Sequence, residues 1–180
     1  MKKLLIVIMM VGTAASTHAQ ISKATLVASG LTCSMCSKAI YQSLQKVKMI
    51  EAIKANIKES SYDITFRKDA VIRFDEIRRA VEDAGFSVAK LQITINFENV
   101  EIKNDAHILI NGLNLHFLHV QPQILNGEKD LTLVDKNFEP VKEYKKYAQY
   151  TMMKCFATGV MEMCCVVKKG NSERIYHVTI

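Results

Sequence analysis

The chain has 180 residues, 49% of them hydrophobic and 23% charged, with seven glycines and two prolines, a balance that excludes disordered, collagen-like and coiled-coil classes. That length holds one ordinary domain or two small ones and excludes a large multidomain enzyme. The formal net charge is +6, two of it from Lys2 and Lys3; basic residues run no longer than pairs such as Lys145-Lys146, tryptophan is absent, and no nucleic-acid partner is expected.

The first nineteen residues read as an address. Lys2 and Lys3 form a positive n-region, Leu4 to Val11 an apolar core, and Gly12 to Ala19 a small-residue stretch before a cut after Ala19. The apolar run is far shorter than the roughly 20 residues of a membrane-spanning helix. The expectation is a signal peptide over 1–19, a mature chain from Gln20 to Ile180 that is soluble after signal removal, and a periplasmic or secreted location. All five cysteines, Cys33, Cys36, Cys155, Cys164 and Cys165, survive that cut. An odd number in an oxidising compartment cannot all pair within one chain, and metal binding is the candidate explanation for the remainder.

A first unit is expected over 21–94. Ala24, Leu26 and Ala28 alternate with Thr25, Val27 and Ser29, the period of a half-buried strand, and Gly30 ends it. Cys36, Ile40, Leu44 and Val47 then recur at helical spacing. Ile53, Ala55 and Ile57, a turn at Ser60-Ser61, and Tyr62, Ile64 and Phe66 predict a hairpin. A second helix follows with the apolar face Phe74, Ile77, Val81 and Ala84, acidic Asp75 and Glu76 in its first turn, and Gly85 as a left-handed cap. Val88, Leu91 and Ile93 close the unit as a strand, with a phase shift between 88 and 91 that periodicity does not explain. The order is βαββαβ, a ferredoxin-like layer of two helices on an antiparallel sheet.

The chemistry sits where the first strand meets the first helix, in Gly30-Leu31-Thr32-Cys33-Ser34-Met35-Cys36. This spacing puts one sulfur on a loop and the other in the first helical turn, so both can face one ion. The unpaired N–H groups and positive end of the helix favour the thiolates that metal binding demands. Soft thiolates select Cu(I) above all, with Zn(II) and Hg(II) as the other ions of this class. Two ligands suit linear Cu(I); a structural zinc site wants four, and the chain has no second C-x-x-C. Met35 between the cysteines is a third sulfur, or a side chain pointing to solvent.

With Asp83-Ala84-Gly85-Phe86 some fifty residues on, this motif resembles the heavy-metal-associated domain of copper chaperones, periplasmic mercury-binding proteins and metal-pumping ATPases. The resemblance covers residues 21 to 94, under half the chain. It implies that Cys33 and Cys36 bind the ion and that Phe86 packs beneath the loop. Leu31 stands where the family usually has Met, a near volume-conserving change at a packing position. Thr32, where zinc-preferring members often carry Asp, leans toward Cu(I). The rival use of C-x-x-C is thiol-disulfide exchange. Against it, no aromatic precedes Cys33, and neither Pro122 nor Pro140 falls in the first unit to face the thiols. A structural Cys33–Cys36 disulfide closes too small a ring to constrain much chain.

The second unit, 97–180, is expected to be a small mostly-β domain, a barrel or sandwich, whose function is unknown; no family is identified in it. Ile108 and Ile110, Asn111-Gly112, then Leu113, Leu115 and Phe117 read as a hairpin. Leu131 to Val134 is a short strand set between turn formers Asn126-Gly127 and Asp135 to Asn137. A helix opens at Pro140 with Val141, Tyr144 and Ala148 on one face, and three strands follow over 150–157, 160–167 and 174–180. Met152, Met153, Cys155, Met161, Met163, Cys164 and Cys165 cluster there, with His116, His119 and His177 the other soft-metal candidates. Core filling, a disulfide from Cys155 to Cys164 or Cys165, and a second metal site are the open readings. His116 and His119, three apart, point to opposite faces of a regular strand.

Together these features predict an α+β, non-enzymatic, soft-metal-binding protein that sequesters Cu(I) or passes it to a metal-transporting ATPase or another metal-accepting protein. A disulfide reductase or isomerase is the alternative, and a recognition module that docks through its β-rich part is the third.

Overall fold

The computed structural model describes residues 20–31, 33–161 and 173–180. β1 (Gln20–Ser29), α1 (Ser34–Leu44), β2 (Ile50–Asn56), β3 (Ser61–Phe66), α2 (Phe74–Asp83) and β4 (Ser87–Ile102) follow in the expected βαββαβ order. Their strands lie side by side as β2-β3-β1-β4, every pair antiparallel. Ala24, Leu26 and Ala28 of β1 are buried in one core with Ile40 and Leu44 of α1 and Phe74, Ile77 and Val81 of α2, as alternation and helical spacing predict. Val47 is buried just beyond α1, not on it. The alternation expected over Ile53, Ala55 and Ile57 fails: Ile53 is half-buried and Ala55 exposed, because β2 is the edge strand and its end passes beyond the core, and Ile57 falls, exposed, in the turn after it. The phase shift before Leu91 is a β-bulge. Val27 pairs Lys90 and Ala28 pairs Val88, leaving Ala89 as the extra residue that swaps faces.

β5 (Ala106–Ile110), β6 (Leu113–Phe117), β7 (Gln123–Leu133), α3 (Val141–Tyr147), a 3-10 turn (Ala148–Tyr150), α4 (Cys155–Thr158) and β8 (Ile175–Thr179) follow. The later strands extend the first sheet instead of closing a barrel or stacking as a sandwich, giving the order β2-β3-β1-β4-β7-β8-β6-β5. The boundary expected between 94 and 97 falls inside β4, which pairs β1 along one edge and β7 along the other. Among the strands of the described residues, only β6 and β8 pair in parallel. Asn126-Gly127 is not a chain reversal: Leu125 pairs Val100 and Gly127 pairs Phe97, so Asn126 lies opposite a bulge at Glu98 and Asn99, and β7 begins well before Leu131. Asn111 and Gly112, both at positive φ (48° and 75°), make the expected two-residue hairpin turn.

The helix after Pro140 forms, but Val141 is exposed, and Tyr144 and Tyr147 are the residues packed on Leu118, Val134 and Phe156. The strand expected over 150–157 is a 3-10 turn and α4 instead. Cys155 and Phe156 are adjacent and both buried, which a short helix lying on the sheet allows and a strand with one solvent face does not. Gly159 at φ 70° closes α4, its N–H donating to the Cys155 carbonyl at 2.7 Å. Of the strand expected over 160–167, Val160 bridges Arg174, and the remainder from 162 lies outside the described residues. β8 forms as expected.

β8 has two buried faces. Tyr176 and Val178 join the main core, Tyr176 meeting Phe74 of α2 edge-on at 5.0 Å, while Ile175 packs on Cys155 and His177 on Phe156. Arg174 at its start donates to Asp75 of α2 at 2.8 Å and to Asp135, and lies 4.2 Å over the Tyr176 ring. No helix of the described residues is long and apolar enough to cross a membrane.

Candidate metal centre

Gly30, at φ 85°, turns the chain out of β1, a conformation its missing Cβ permits. Leu31 packs against the core below the loop, in keeping with the packing role of that position. Cys33 is extended (φ −155°, ψ 165°) at the N-cap of α1, and its carbonyl accepts the N–H groups of Cys36 and Ser37 at 3.1 and 3.4 Å. The chain is thus helical from the residue after Cys33, and Cys36 falls in the first turn. Their sulfurs are 3.0 Å apart, Cys33 exposed and Cys36 half-buried. Met35 is 70% exposed and points away, the solvent-facing alternative of the two open for it. Thr32 lies outside the described residues.

Two aromatic side chains support the loop. Tyr62 of β3 donates its hydroxyl to the Ser37 carbonyl at 3.2 Å; burial pushes its phenol up from the ordinary range, and the neighbouring Cys36 adds to that rise. Phe86 follows a cap in which Phe86 N–H donates to the Val81 carbonyl and Gly85 N–H, at φ 86°, to Glu82. That cap turns the Phe86 ring under the loop, where it would stand 3.7 Å from a Cβ on Gly30. The supporting place implied for Phe86 is the one it occupies; Tyr62 was readable only as a strand residue.

The sequence model of the heavy-metal-associated domain matches residues 25–87. The copper chaperone CopZ of Bacillus subtilis is 33% identical over 66 residues, covering 37% of this chain and 94% of that one. The chain belongs to the heavy-metal-associated domain family. A probable copper-exporting P-type ATPase of Archaeoglobus fulgidus is 30% identical over 74 residues, which are 41% of this chain and 9% of the ATPase. Among solved structures, oxidized MerP from Ralstonia metallidurans aligns with a TM-score of 0.35 and 27% identity over 38% of this chain and 97% of that one. The family match ends at residue 87, where β4 begins, and β7 pairs along that strand's other edge.

Beyond the family domain, the soft side chains only partly gather. Met153 and Met161 pack around buried Cys155 and Ile175, while Met152 is fully exposed. Met163, Cys164 and Cys165, and with them the expected disulfide from Cys155, lie outside the described residues. His116 and His177 are buried, whereas His119 lies past the end of β6 at φ 55°, exposed and stacked on Tyr150 at 4.0 Å, so the two histidines separate because the strand ends between them. His107 was missed by the sequence reading, although a two-residue hairpin at Asn111-Gly112 already places it opposite His116. Burial, with the positive charges that His177 and His107 would carry, pushes His116 down to about 4 against the pull of Asp105.

Proposed function

We propose that this is a periplasmic or secreted, non-enzymatic protein that takes up Cu(I) on Cys33 and Cys36 and either holds it or passes it to a partner protein. The observation that carries this reading is the exposed–half-buried sulfur pair at the start of α1, on a loop supported from below by Phe86 and Tyr62. Family membership supports a soft metal, and likeness to a copper chaperone and to part of a copper-exporting ATPase favours copper over Hg(II) or Zn(II). A linear ion sits between its two sulfurs, which must then stand farther apart than the 3.0 Å between them here, so loading requires Cys33 to swing outward. Exposure leaves it room to do so. Transfer follows by ligand exchange: an incoming partner thiolate bonds the ion, the Cys33 bond breaks, then a second partner thiolate replaces Cys36. No electron moves, and each released cysteine recovers a proton from solvent. A metal-transporting ATPase domain of the same family is the proposed acceptor.

Anaerobic competition against a chromophoric Cu(I) chelator tests this on the full mature chain. Cys33→Ser or Cys36→Ser is expected to lower affinity at the loop by at least 100-fold; near-wild-type binding and transfer by both variants would sink the assignment. Oxidoreductase action is the second reading, and efficient insulin-disulfide turnover abolished by Cys33→Ser would make it the better one.

A further inference from the structure

Outside the family domain, the sheet carries a row of three imidazoles. The hairpin register pairs His107 of β5 with His116 of β6, and the parallel register pairs His116 with His177 of β8. Adjacent ring centres stand 4.3 and 4.9 Å apart. α4 lays Cys155 on this row, its Sγ 3.7 Å from His116 Nδ1, and one donor atom each of His107, His116 and Cys155 lies within 4.8 Å of the others. His116, His177 and Cys155 are 0% exposed.

Two carboxylates fix the rings from outside. His116 Nε2–H donates to Asp105 at 3.0 Å, which turns the Nδ1 lone pair toward Cys155. His177 Nδ1–H donates to Asp135 at 2.9 Å, and its buried Nε2 has no hydrogen-bond partner among the described residues. Carboxylate–histidine pairs of this kind orient imidazoles that ligate metals and hold the tautomer with a bare nitrogen. An apolar core gains nothing from such an arrangement, since each imidazole brings polar atoms that must be satisfied.

We propose that His107, His116 and Cys155 form a second Cu(I) site, a thiolate–imidazole centre on the sheet face opposite α2. One thiolate and two imidazoles suit three-coordinate Cu(I), whereas a structural Zn(II) site needs a fourth ligand. Trigonal bonds of about 2.0–2.3 Å hold donors about 3.5–4 Å apart, so the group closes by about 1 Å on binding. Binding releases the Cys155 thiol proton to solvent and leaves both imidazoles neutral. His177 walls the site, and Met153 and Met161 surround the sulfur with polarisable side chains. Buried, this centre retains an ion that the exposed loop of Cys33 and Cys36 exchanges. Only the identity of the ion rests on the proposed copper role.

The test uses the full mature chain, reduced and anaerobic, with Cu(I) as the probe. The double variant Cys33→Ser/Cys36→Ser is expected to keep one Cu(I) of mixed nitrogen–sulfur coordination by X-ray absorption, and wild type to hold two. Adding Cys155→Ser or His107→Gln to that background should weaken the retained ion at least tenfold; His107 is half-buried, so its replacement spares the fold, checked by circular dichroism. Cys155→Ser alone should leave the loop site loaded, so failure here and failure of the loop assignment give different stoichiometries. No Cu(I) on the double variant, retained Cu(I) indifferent to both added changes, binding of Co(II) or Zn(II) in place of Cu(I), or a disulfide through Cys155 in the purified protein each overturns the proposal.

Discussion

At Glu139, burial and the like charge of Glu143 outweigh the attraction of Lys90 and push the carboxyl up to about 7. An unfolded glutamate titrates near 4.3, so between about pH 4.3 and 7 the unfolded chain has lost a proton that the folded chain keeps. Stability then falls as pH rises through that window. Glu139→Gln should remove the slope and stabilise the protein at pH 8, by on the order of 1 kcal/mol after solvent screening of this half-exposed group. Urea unfolding at pH 4 and pH 8 checks it; a variant no more stable than wild type at pH 8 refutes the assignment. At the same scale, the nearness of the Cys33 and Cys36 sulfurs was legible because a C-x-x-C at a strand–helix junction is a local arrangement. Tyr62 and His107 were not singled out, because their roles depend on what lies across the sheet.

Among the elements, α2 and β8 are tied by a polar network that no sequence period announces. Arg174 and the Tyr176 hydroxyl both donate to Asp75, at 2.8 and 3.0 Å, and Arg174 also donates to the carbonyls of Gly159 and Ile175. Burial alone would raise the Asp75 carboxyl, but the hydrogen bonds and charge of Arg174 prevail and hold it below its ordinary value. That stability is present above the unfolded aspartate range near 3.9 and is lost as pH falls through the depressed folded value. Asp75→Ala and Arg174→Ala should each cost about 1–3 kcal/mol at neutral pH, and together less than the sum, because either change alone takes from the other group its shortest charged partner. Chemical denaturation of the four-member cycle measures this; strict additivity would show that the pair does not couple. Gly159 belongs to the same junction, since a Cβ there would lie 2.6 Å from Arg174 Nη1.

Over the whole molecule, β4 decides the architecture. In the order β2-β3-β1-β4 its outer edge would be open, and here β7 pairs along it from Gln92 to Ile102. The C-terminal part thus covers an edge that would otherwise invite pairing with another chain. The piece 20–96 should fold, because a related chaperone is almost wholly matched by a segment of this size, yet it should melt lower and associate more than the full mature chain. Circular dichroism melting and light scattering decide; equal melting points with no association would mean that β7 adds nothing to the first unit.

The sequence by itself determined the βαββαβ order, the C-x-x-C between β1 and α1, and the hairpin at Asn111-Gly112, because each rests on periodicity or turn chemistry within some ten residues of chain. Bulges at Ala89 and at Glu98-Asn99 left only a broken phase and a misleading turn signal, since an extra residue in a strand is defined by its partner strand. The short α4 defeated alternation because burial on the sheet, not propensity, holds four residues in a helix. Only the tertiary structure decided that the C-terminal strands continue the first sheet and that β6 runs parallel to β8. That pairing joins residues some sixty apart and sets His116 beside His177, and no local preference encodes which distant edges meet.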